Sequence, residues 1–171
     1  MIHHHHSSPR EGVTAGLLGA ATVALVFLVR DVVRGVPLLT PSVLGQVIAL
    51  GESYPVTDQA RIGPALAYTG IHIIAFVLFG LLLAGLVRLA VTQPAFRFAL
   101  MILFVAFEVF FAGVAFMLHE STRELFPLGL ILLANAMAAV VMGLYMWRHH
   151  PALRRAMRRD PLGMNPPDGH R

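Results

Sequence analysis

Four apolar runs, each long enough to cross a bilayer, decide what this chain can fold into. A spanning helix needs about 20 predominantly apolar residues, and in hydrocarbon the backbone must satisfy its own hydrogen bonds. The runs cover about 13–34, 64–88, 98–119 and 126–147. Charge, proline or glycine bounds each of them. Gly35 and Pro37 stop the first, and Pro64 and Arg88 bracket the second. Pro127 opens the fourth, which Tyr145 and Trp147 close at the interface before Arg148. The expected fold is all-α, an integral membrane four-helix bundle.

Composition agrees, with 57% hydrophobic and 13% charged residues against about 25% charged in an ordinary soluble domain. There is no cysteine, which excludes thiolate metal sites, iron–sulfur clusters and disulfide frameworks. There is no lysine either, and arginine carries all thirteen cationic charges. With abundant Ala, Gly, Leu and Val, that points to a GC-rich bacterial genome and an inner-membrane location. The net charge of +4 comes without an aromatic-basic patch or a DNA-reading helix, so nucleic acid is not expected as a partner. The opening MIHHHHSSPR lacks the apolar core of a signal peptide. Its four histidines read as a tag remnant or a tail, and residues 1–11 are expected to be disordered.

The connection from 36 to 62 holds a short helix of its own. Thr40-Pro41 reads as an N-cap followed by a first-turn proline, and Gly51 as a stop, giving a helix over about 41–50. About ten residues cannot span, so an interfacial helix in the first outer loop is expected.

Arginine sets the orientation. Arg10, Arg88, Arg97, Arg148, Arg154, Arg155, Arg158, Arg159 and Arg171 fall on one side, and Arg30, Arg34, Arg61 and Arg123 on the other. The positive-inside rule places both termini in the cytoplasm. Arg148, Arg154, Arg155, Arg158 and Arg159 form a basic juxtamembrane segment suited to anionic phospholipid headgroups, each contributing roughly 1 kcal/mol. The Pro- and Gly-containing end, 160–171, is expected to be disordered.

One carboxylate interrupts the third run. Glu108 lies within Phe98–Leu118 with no cation within a helical turn, and a charge at that depth costs roughly 2.5 kcal/mol or more unless it meets a partner or water. His72, Asn135 and Glu108 lie roughly 12–16 Å in from the outer ends of their spans at ~1.5 Å per residue, which places them in one slab near the midplane. Small residues mark packed faces in lipid. Asn135 lines up with Ala139 and Gly143, Glu108 with Ala112 and Ala115, and His72 with Thr69 and Phe76. Gly16, Ala20 and Ala24 on the first span, and Gly80 and Ala84 on the second, form matching stripes. A carboxylate, an imidazole and an amide at one level can relay a proton, ligate a metal, or tie helices together. His72 and Glu108 are the metal candidates, short of the three or four ligands zinc takes. No resident cofactor is expected.

Farther out, the Glu108 face leads to His119 and Glu120, while Asp31 sits on the small-residue face of the first span. These three could form an outer cation vestibule, or simply the polar ends of helices. No nucleotide loop, HExxH or GxSxG occurs, so an enzyme is the weakest class. The leading expectation is a non-enzymatic subunit or assembly partner whose polar layer serves packing, within a homo-oligomer or larger membrane complex. The alternatives are a proton- or ion-coupled transport element using Glu108 and His72, and an intramembrane metal or cofactor site.

Overall fold

A computed structural model describes residues 9–93, 95–117 and 125–149. All regular structure among them is helical: α1 Pro9–Val33, α2 Leu39–Leu44, α3 Ile62–Thr92, α4 Ala95–Met117 and α5 Leu128–His149. A π-turn, Gly45–Ala49, continues α2. Three of the helices, α1, α3 and α5, are long and apolar enough to cross a membrane. The 31 residues of α3 reach ~46 Å at 1.5 Å per residue, more than the ~30 Å hydrocarbon core. α4 has 23 residues, with its described apolar stretch at Phe98–Gly113. Large apolar side chains are exposed along every long helix, among them Val29, Ile74, Ile102 and Val140. Contiguous apolar surface on that scale is stable against lipid and costly in water. This is a membrane protein.

The long helices pack in the cyclic order α1, α3, α4, α5, with α5 closing back on α1 and meeting α3 only lightly. Glycine makes the tightest of these contacts. A Cβ on Gly16 would collide with the Phe76 carbonyl and stand 2.7 Å from Val77 Cα. One on Gly80 would strike the Gly12 carbonyl and stand 2.6 Å from Gly16 N. α1 and α3 thus meet backbone to backbone, as small residues allow where no hydrophobic effect drives helices together. A second face of α1 meets α5, where a Cβ on Gly19 would lie 2.5 Å from Met142 Sδ. Phe76, fully buried, fills the space these helices leave.

Stripes and packed faces coincide on α1 and α3 for Gly16, Ala20, Gly80 and Ala84, which are buried, while Ala24 is exposed. On α5 the packed face corrects the expected one. It runs Ile131, Ala134, Asn135, Ala138, Met142, Met146, and Gly143 is exposed with nothing within 4 Å of a Cβ built there. The flexible thioether of Met142 fills the gap left by Gly19, which a small residue would leave void.

The ends of α1 and α2 are built as one unit. Gly35, at φ +80°, lets Gly35 N–H donate to the Val32 carbonyl at 2.9 Å and Val36 N–H to the Asp31 carbonyl at 3.1 Å. That pair of bonds is the Schellman arrangement. The short helix begins at Leu39, two residues before the sequence expectation, and Thr40 lies inside its first turn instead of capping it. Leu38 takes the cap position at φ +65° with no side-chain cap of its own. The cap comes from α1: Asp31 accepts from Thr40 N–H at 2.6 Å and from Thr40 Oγ1–H at 2.7 Å. From there α2 and the π-turn lie along the start of α3, and a Cβ on Gly45 would collide with the Pro64 carbonyl.

Candidate functional site

α3, α4 and α5 bring the polar residues of the spans to one region, but not all to one another. Asn135 is buried on the packed face of α5 and interacts with Glu108 on α4. Neither carboxylate oxygen of Glu108, nor the Asn135 Nδ2, completes a hydrogen bond of ordinary geometry. His72 is buried and turns toward α1, where its Nε2–H donates to the Ala20 carbonyl at 3.2 Å. Among the described residues no hydrogen bond or ion pair joins His72 to Glu108. Thr69 donates to its own helix, to the Ala65 carbonyl at 2.7 Å.

A run of aromatic rings leads from His72 to the turn of α4 that carries Glu108. His72 packs on Phe76 at 4.7 Å between ring centroids, Phe76 on Phe107 at 5.5 Å, and Phe107 on Phe111 at 4.7 Å. Phe107 and Phe111 flank Glu108 on α4. Their edge-to-face contacts are of the kind worth about 0.5–1.5 kcal/mol beyond area burial. The i, i+4 pair Phe107 and Phe111 was visible in the sequence as a ring ladder beside the carboxylate.

Asp31, a candidate by sequence for an outer vestibule or for the plain polar end of a helix, is 1% exposed and gives both carboxylate oxygens to Thr40. His119 and Glu120 lie outside the described residues, as do Arg154, Arg155, Arg158 and Arg159. Arg148 is exposed in the last turn of α5, favourable both for the helix dipole and for a headgroup layer. For a metal, no three His, Asp or Glu side chains converge among the described residues.

A polar hub that sequence reasoning missed centres on Gln46 in the π-turn. Its side chain is fully buried. Gln46 Oε1 accepts from Val56 N–H at 2.8 Å and Nε2–H donates to the Val56 carbonyl at 3.3 Å, so the amide pairs with the backbone as a strand would. Ser42 Oγ accepts from Arg61 N–H at 2.8 Å, and the Arg61 guanidinium meets Glu52 at 3.2 Å. The long connection is thereby pinned to the start of α3.

Two cavities lie beside this layer. One, of about 450 Å³, is lined by residues of α1, α2 and α3, including Ala24, Leu28, Thr40 and Thr69. The other, of about 500 Å³, reaches Ile71, Phe110, Phe126 and Asn135. Val23, Phe27, Leu44, Tyr68 and His72 line both. No family model matches the chain, and no curated protein or solved structure is similar to it.

Proposed function

We propose that this chain is a non-enzymatic integral membrane protein of the bacterial inner membrane, a small subunit or assembly partner in a larger complex. It is read as a four-helix bundle with α4 as the fourth span, α2 and its π-turn at the outer interface, and both termini in the cytoplasm. The basic segment after α5 then lies on anionic phospholipid. One observation supports the packing role most directly: His72, the buried imidazole of the polar layer, is spent on the α1 backbone at Ala20. Asp31 is likewise spent on Thr40, and Asn135 faces Glu108 across the α4–α5 contact.

Proton or ion coupling is the second reading, and the two unbonded carboxylate oxygens of Glu108 favour it. Glu108→Gln separates the two. If the residue is a tie, the amide introduced by the substitution keeps the polar contact with Asn135, and interhelical hydrogen bonds in membranes average ~0.6 kcal/mol. The variant should therefore assemble at wild-type levels, with unfolding in a detergent titration shifted by less than about 1 kcal/mol. Proteoliposomes of wild type and variant should carry the same proton flux under an imposed pH gradient. A flux present in wild type and lost in the assembled variant would establish coupling instead.

A further inference from the structure

The paired cavities carry an inference that goes beyond the packing role. We propose that they form a binding site for an uncharged lipophilic molecule with a flat, carbonyl-bearing ring and an apolar tail, the chemistry of a benzoquinone or naphthoquinone lipid.

The lining sets each part of that description. Both volumes, about 450 and 500 Å³, fall within the range of small-molecule sites. No Arg, Asp or Glu lines either cavity, so a phosphate or ammonium head would have no counter-charge. Flat surfaces surround the shared wall and the second chamber, with Phe27, Tyr68, Phe110, Phe111 and Phe126 joined by the His72 imidazole. Tyr68 and His72 lie in parallel-like array, centroids 5.7 Å apart and planes inclined by 30°. A ring stacks on such walls, whereas an acyl chain gains nothing specific from them.

Asn135 supplies the direction. It is 2% exposed and lines the second chamber, and although the residue faces Glu108, its Nδ2, with two hydrogens to give, completes no hydrogen bond of ordinary geometry. Buried polar groups are nearly always paired, and an unpaired one calls for a partner. A carbonyl oxygen on the bound ring meets that donor; an alkane leaves it orphaned. With the ring against Asn135 and His72, the tail runs past Val23 and Phe27 into the first chamber, which is walled by Ala24, Leu25 and Leu28.

The test uses the full chain in phosphatidylcholine nanodiscs with a decyl-tailed benzoquinone as probe. Decylbenzene, which has the tail and a ring but no carbonyl, is the control. Bound probe is counted after gel filtration against empty nanodiscs. We expect one quinone per chain and at least tenfold weaker retention of decylbenzene. Asn135→Leu should weaken the quinone about tenfold and leave decylbenzene unchanged. Ile71→Trp, at a rim position 42% exposed, should block both. Should Asn135→Leu fail to assemble, Ile71→Trp and decylbenzene carry the test. Retention no greater than in empty nanodiscs, equal retention of the two probes, or full binding by Ile71→Trp overturns the proposal.

Discussion

Gly16→Val is expected to separate α1 from α3 and to be among the most damaging single substitutions in the spans. Gly16 has Phe76 and Val77 backbone atoms against it, and a Cβ there has only main chain to displace. A flexible side chain can move aside, but a carbonyl held in its own helix cannot. The helices would have to move apart, and the close contact that lets Gly12, Gly16 and Gly80 pack in lipid would go with them. Overpacking typically costs about 1–3 kcal/mol and more where nothing can yield, so about 3 kcal/mol or more is expected. A detergent unfolding titration measures it. Gly143→Val supplies the contrast, since nothing lies within 4 Å of a Cβ at Gly143. Equal losses from the two substitutions would show that α1 and α3 do not meet this closely.

That contrast also marks what the sequence could and could not tell. Length and apolarity located the long helices, because in hydrocarbon a continuous apolar run of about 20 residues satisfies its backbone within itself as a helix. Gly35 and Pro127 marked helix ends through their own backbone geometry, which needs no tertiary context. Gly143 and Ala139 misled about α5, because a small residue in a membrane helix serves a close contact or simply faces lipid. The sequence carries no mark of which. Met142 packs into the notch at Gly19, and a long thioether has no pattern that announces such a fit.

Direction around each helix was not legible in the polar layer. Glu108 and Asn135 face each other across α4 and α5, yet His72 serves a different helix pair. A rise of ~1.5 Å per residue fixes height, whereas the neighbour depends on how each helix is rotated. Phe76 and Phe107 pack against each other where α3 meets α4, a contact that spacing along either helix does not reveal. Gln46 was not legible at all. A single glutamine in a short interfacial helix looks like ordinary surface polarity until Val56 folds back onto it.

Asp31→Ala should loosen the whole connection from α1 to α3 while leaving the long helices formed. Among the described residues Asp31 is the side chain that caps the start of α2, since Leu38 at the cap position offers no side-chain oxygen. Its removal strips the acceptor from both Thr40 N–H and Thr40 Oγ1–H, in a site where Asp31 is 1% exposed and Thr40 is 6% exposed. Water cannot replace the carboxylate without opening the α1–α2 corner. Hydrogen bonds to charged groups contribute about 1.5–3 kcal/mol each. The two share one partner and are not additive, so a loss of roughly 3–4 kcal/mol from that corner is expected. Asp31→Asn should lose less, because its carbonyl can still accept from Thr40 N–H while its amide donates to the hydroxyl. Amide hydrogen exchange over 39–49 is the direct readout, with much faster exchange in Asp31→Ala, intermediate exchange in Asp31→Asn, and unchanged protection in α3. Thr40→Val removes one bond only, and a double mutant no worse than Asp31→Ala would confirm that both substitutions act through this contact. Wild-type exchange in Asp31→Ala would show instead that the packing of Val43 and Gly45 on α3 holds the short helix without its cap.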